Sequence, residues 1–175
     1  MTAITYTAAF DPFHAIFRML CLFEYDSKLS LQTDQVRIMD FYVCFPQFLD
    51  SFEAAREMTG FVKLKNSVMR RFDDKDPYSR LPSPRQLFRR MEPTQMAAIN
   101  TLSSSGIVEV SGLPVPLVSR ADFTIPEKLR SEVHRFLKLN ADLMAAVNLM
   151  AGLRVTGPSG LKRRSRLEEY RYDAV

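Results

Sequence analysis

Two histidines, two cysteines and a short acidic cluster are the residues of this 175-residue chain whose types suit catalysis or metal binding. His14 and His134 are far apart, and neither has a Cys, Asp or Glu at ligand spacing on its own helix face. Cys21 and Cys44 have no histidine cluster nearby, which removes a metal signature. Each lies among apolar residues and reads as a buried, reduced thiol. Asp73, Asp74 and Asp76 look like half of a calcium loop, but the Gly and the distant bidentate Glu of such a loop are missing. There is no Gly-rich phosphate loop and no Gly-x-Ser-x-Gly elbow. The six glycines read as turns and caps. No set of residues converges on a reaction, so the expectation is a non-enzymatic protein without metal or cofactor.

What the chain offers instead is contact chemistry. Asp11 is a good N-cap, and Pro12 follows at the first helical position, where its missing N–H costs nothing. Phe13, Ile16, Phe17 and Leu20 recur at i, i+3, i+4 and i+7, which gives one apolar face. His14 falls at the third helical position, where the dipole disfavours a cation. It reads either as a polar residue closing the helix start or as a docking or switching group. Arg18 lies one turn on. It can pair with Asp11 or a neighbour of Glu24 on a solvated stripe, or it can reach an acidic partner.

A second set is basic. Net charge is +4, but residues 1–60 are net acidic, whereas residues 61–90 hold nine basic and three acidic side chains. The tail is basic again, through Lys162, Arg163, Arg164 and Arg166. Such asymmetry suits docking to nucleic acid or to an acidic protein face. The tail cluster has two readings: a solvated terminus, or nonspecific phosphate contact and capture of an acidic partner. Lys63, Lys65, Arg70 and Arg71 are candidates to extend that surface.

The elements that must position these groups are mostly helices. The first spans 12–24. A second, capped by Thr33, runs from Asp34 to Phe45, with Val36, Met39, Val43 and Phe45 inside and Arg37 and Asp40 facing water. A short helix follows from Pro46 to Met58, closed by Gly60. Residues 73–84 are rich in Asp and Pro and read as a mobile loop. Two short helices are expected next, 84–91 and 95–103, then a hairpin built from Ile107–Val110 and Leu113–Val118. Pro114 and Pro116 restrict the second run to an edge strand or a non-hydrogen-bonded one. Helix pair plus hairpin describes a winged helix. A stripe of Leu129, Val133, Phe136, Leu137, Met144 and Val147 predicts one long helix over 126–152, too long to pack wholly on a small domain.

The fold class is therefore mainly α with a small β-hairpin. It comprises a winged-helix-like docking domain (1–125), a long C-terminal helix (126–152) and a basic tail (153–175). A chain of this length can bury a core without disulfides. No apolar run approaches the roughly 20 residues needed to span a bilayer, and no secretory leader is evident, so a cytoplasmic location is expected. The second helix of the winged-helix pair, 93–105, contains no Lys or Arg, which makes it a poor reader of DNA.

The opening Asp11-Pro12-Phe13-His14-x-x-Phe17-Arg18-x-Leu20 resembles the middle component of bacterial three-component ABC systems, which include Lamassu-type anti-phage systems. Asp40-Phe41-Tyr42 with Phe45-Pro46 is similar to a segment of the same proteins, and 84–110 fits more loosely. The resemblance implies an accessory subunit that connects an SMC/Rad50-like ATPase to a nuclease effector. It places Asp11, Pro12, His14 and Arg18 at or beside a docking surface. The long helix and basic tail would then reach a second partner or DNA. A winged-helix DNA-binding regulator is the alternative.

Overall fold

The computed structural model describes residues 8–72 and 82–167. Helix α1 (Pro12–Tyr25) starts as its sequence dictates: the Asp11 carboxylate accepts from the N–H of Phe13 at 2.8 Å and of His14 at 3.4 Å. Its buried side runs through Ala15, Arg18, Met19, Leu22 and Phe23. The expected stripe is thus displaced: Leu20 is buried and Ile16 and Phe17 are half-buried, but Phe13 is 82% exposed.

Strand β1 (Ser30–Gln32) leads into α2 (Thr33–Cys44), the central helix, with ten of its twelve residues buried. Thr33 is not the cap. Gln32 holds that position, and its N–H donates to the Gln35 side chain at 3.0 Å. The C-terminal end of α2 seeds an aromatic cluster. Phe41 lies 5.4–5.8 Å from Tyr42, Phe45, Phe48 and Phe88, while Phe52 joins Tyr42 to Phe61. Each such pair adds about 0.5–1.5 kcal/mol beyond area burial, which fills the place of the absent Trp. The segment after Pro46 forms only a 3-10 turn (Pro46–Ser51). Gly60 adopts a φ of +81° just before α3 (Phe61–Phe72) instead of closing a longer helix.

The helix pair expected over 84–103 is one helix, α4 (Pro84–Ser104), with Pro93 inside it. Leu87, Met91, Gln95, Ala98 and Leu102 form one unbroken buried stripe. A break at Pro93 would throw that stripe out of register, and Pro93 itself lies on the exposed side, where its missing N–H is tolerated. The hairpin forms as expected from β2 (Val108–Ser111) and β3 (Leu117–Arg120). However, β3 is the central strand, not an edge: the order is β1-β3-β2, all antiparallel, with Val118 opposite both Leu31 and Val110. The prolines sit in the connection before β3, so they cost no ladder bond. The protein is mainly helical with one small antiparallel sheet.

The 126–152 segment is helical but interrupted. Helix α5 (Glu127–Leu139) ends at Asn140, α6 (Ala141–Asn148) begins there, and a 3-10 turn (Leu149–Gly152) follows. The Asn140 side chain donates to the Phe136 carbonyl at 2.9 Å, a local bond that competes with helical geometry. The bend lets Leu143, Met144, Ala146 and Val147 enter the core, so its length does not force the segment to project. After it, Leu153, Val155, Leu161 and Leu167 are buried around the short helix α7 (Leu161–Ser165). Asp73, Asp74 and Asp76 and most of the loop expected to be mobile lie outside the described residues. Among the described residues, no helix is long and apolar enough to cross a membrane.

Candidate docking site

The N-terminal half of α1 borders an open groove of about 610 Å³. Asp11, Phe13, His14, Phe17 and Arg18 line it from α1, with Val43 and Cys44 from α2, Phe136 from α5, and Ala8. Phe17 and Phe136 meet edge to face at 5.6 Å and join the two helices across it. Three of the four residues expected to mark a docking surface therefore line one concavity, and Pro12 sits exposed beside them. His14 is exposed at the rim, and Asp11 has its carboxylate engaged as the helix cap.

Arg18 has a different place from the one expected. It is buried and paired neither with Asp11 nor near Glu24: its Nε donates to Asp40 Oδ1 at 2.7 Å and its Nη2 to Oδ2 at 3.2 Å. Its Nη1 reaches the Ala8 carbonyl at 3.0 Å. Burial by itself would lower the Arg18 pKa, but the charge and hydrogen bonds of Asp40 reverse this and hold it above its ordinary value. Glu24 pairs with Arg120 at 2.6 Å at the other end of α1.

Asp40 and Arg37, expected to face water, are buried. Asp40 also accepts from Gln95 Nε2 at 2.9 Å, and Gln95 in turn exchanges bonds with Arg37. Arg37 continues outward to Asp34 at 3.3 Å and Glu92 at 3.1 Å, and stacks over Phe88 at 4.7 Å. The groove floor is thus one end of a polar network through α1, α2 and α4 whose charges satisfy one another. Residue patterning missed it because each charge looks solvent-facing until its partner from another helix is placed beside it: Asp40 lies 22 positions from Arg18, and Gln95 lies 58 from Arg37. Burial pushes the Cys44 and Cys21 thiols up to about 12, so both stay protonated near neutrality.

The tail cations are also engaged by the fold. Lys162 pairs with Asp34 at 2.5 Å and Arg166 with Glu53 at 2.7 Å, while Arg164 donates to the carbonyls of Ser159, Glu53 and Ala54. Arg163 is exposed. Of the α3 residues, Lys65 donates to the Asp50 carbonyl, Arg70 to that of Asn66 and Arg71 to that of Leu139.

A second exposed region escaped the sequence reading. The hairpin tip presents Val110, Leu113, Val115 and Leu117, and Leu113 is 93% exposed. No charged residue occurs from Ser111 to Ser119. The length of α2 separates this region from the groove: Leu117 pairs with Gln32 just before α2, about 16 Å along the axis at 1.5 Å per residue from Val43, which lines the groove. Among the described residues, no group of His, Cys, Asp and Glu is placed to hold a metal.

No curated protein and no solved structure matches this chain. A protein family does match, from residue 4 to residue 173, and it covers both the groove and the hairpin. By that match the chain belongs to the family described as ABC-three component (ABC-3C) system Middle Component 5.

Proposed function

We propose that this chain is a non-enzymatic adaptor that bridges an SMC-like ATPase and a nuclease effector. We place it in a cytoplasmic bacterial anti-phage complex of the Lamassu type. Family membership makes it a middle component of a multi-component system, and such a component needs two places to dock. The observation that carries the reading is that large apolar side chains are exposed in two separated regions, Phe13 beside the groove and the uncharged hairpin tip. Exposed apolar clusters on a well-packed protein mark interaction surfaces. Arg18 supports the groove from beneath instead of meeting the partner.

The test is co-expression with the neighbouring ATPase and nuclease genes, followed by affinity capture and size exclusion. All three chains should elute together. Phe13→Asp should release one partner, and Leu113→Asp with Val115→Asp the other. A chain that elutes alone overturns the proposal.

A DNA-binding regulator is the second reading, favoured by the hairpin that follows α4. The uncharged tip weighs against it, because a wing without Lys or Arg has nothing to offer a phosphate.

A further inference from the structure

The sheet has two outer strands, and they are not equally open. Strand β1 is three residues long and runs at once into α2, its Gln32 N–H donates to the Gln35 side chain, and it carries no exposed large apolar side chain. On the other side, the Ala121 N–H donates to the Ile107 carbonyl at 3.0 Å, which sets the phase of the β2–β3 ladder. Bonded residues alternate along an antiparallel pair. Glu109 and Ser111 therefore bond β3, while the N–H and C=O of Val108 and Val110 point away from it. Val108 is covered, at 1% exposure, whereas Val110 is 43% exposed. Among the described residues, no group bonds the outward N–H or C=O of Val110.

The surroundings select what pairs with that edge. Val110 leads into the exposed apolar tip of Leu113, Val115 and Leu117. From Ile107 to Ser119 the one charged residue is Glu109. It is exposed on the same face of the sheet as Leu117 and makes no ion pair among the described residues. An unpaired carboxylate without a nearby cation on the hairpin repels the phosphates of a nucleic acid or an anionic bilayer. A second copy is disfavoured too. Outward groups pair only with outward groups, so two β2 edges would bring both Glu109 carboxylates onto one face. An extended protein segment fits: its main chain bonds a free edge, and its side chains supply the specificity. A cation directly across from Glu109 makes a favourable cross-strand pair.

On the adaptor reading, on which this rests, we infer that the partner held at the hairpin lays an extended segment along the outer edge of β2. The Val110 N–H and C=O bond the main chain of that segment, and a Lys or Arg of the segment faces Glu109. The sheet thereby gains a fourth strand.

The test uses the full chain and the partner subunit that Leu113→Asp with Val115→Asp releases from the co-expressed complex. Val110→Pro removes the outward N–H and no β2–β3 bond, so it should weaken that partner's binding about tenfold in biolayer interferometry. Glu109→Lys turns an attractive cross-strand pair into a repulsive one and should weaken binding about fivefold. Hydrogen exchange resolved to single amides reads the parent chain and needs no variant to fold. The Val110 amide should exchange freely in the chain alone and slow by about tenfold or more in the complex, while the Glu109 amide is slow in both. A Val110 amide unchanged in a complex that the tip variant disrupts overturns the added strand and leaves the adaptor reading standing. Parent-like binding of both Val110→Pro and Glu109→Lys does the same. A Val110 amide already slow in the chain alone, through pairing with a second copy, or slowed by vesicles of anionic phospholipid, also overturns it. A chain that holds no partner through the tip overturns both readings.

Discussion

Replacing Arg18 with Met should strip the counter-charge from an aspartate that has no access to water. Asp40 is fully buried and would keep only the Gln95 bond at 2.9 Å. Removing one partner of a buried ion pair costs about 3–5 kcal/mol, because the remaining charge is stranded. For a chain of this size that corresponds to a fall of about 6–20 °C in Tm. The double variant Arg18→Met with Asp40→Leu strands no charge: Gln95 still donates to the Arg37 carbonyl at 3.0 Å and accepts from Arg37 at 3.2 Å, and only the amide N–H that faced Asp40 loses its acceptor. It should be clearly more stable than the Arg18→Met single variant, since apolar replacements of buried pairs are often neutral and one unpaired amide N–H costs about 1–3 kcal/mol. Urea unfolding of the parent, both single variants and the double variant gives the coupling directly. Additive losses, or an Arg18→Met loss below about 0.5 kcal/mol, would refute the buried pair. A charge reversal at Arg18 would accordingly report on folding instead of docking, which is why Phe13 is the better probe of the groove.

Other outcomes follow from the same structure. Cys21 and Cys44 are held at about 12 in the folded chain, above the ordinary value of 9.0. The unfolded chain therefore loses those protons first, and stability that is intact below about pH 9 should fall as pH rises towards 12. At pH 10 the loss is about 1.4 kcal/mol per thiol, and a Cys21→Ala, Cys44→Ala variant should lack that part of the slope in pH-dependent urea melts. Gly160→Ala places a Cβ 2.5 Å from the Thr156 carbonyl oxygen, so it should destabilise by about 1–3 kcal/mol and loosen the C-terminal segment in hydrogen exchange. Phe13→Ser should change stability by less than about 0.5 kcal/mol, read by thermal melting, because the ring is 82% exposed.

The helices were legible where a local rule writes them. Asp11-Pro12 announces α1, and the spacing of apolar residues announces α2 and the helical character of 127–148. The hairpin was legible from its β-prone runs and its Ser111-Gly112 turn. Long-range facts were not. Strand β1 is three residues, Ser30–Gln32, and pairs with a strand almost ninety positions later, so no local period could reveal it. Pro93 reads as a break until the stripe from Leu87 to Leu102 is seen to be continuous. Arg37 and Asp40 read as surface because charge alone predicts exposure, whereas mutual pairing and Gln95 make burial possible. For the docking site, the residue set around Asp11 and His14 was legible. The groove itself was not, because Val43 and Phe136 complete it from other helices.

The central claim is that this middle component joins two subunits through two separate apolar surfaces. The most direct measurement is mass photometry of the co-expressed complex, with the parent chain, Phe13→Asp, and Leu113→Asp with Val115→Asp compared side by side. The parent should give a complete assembly. Each variant should give a different partial assembly, one retaining the ATPase and the other the effector. An unchanged assembly in both variants, or the same partner lost in both, would contradict it.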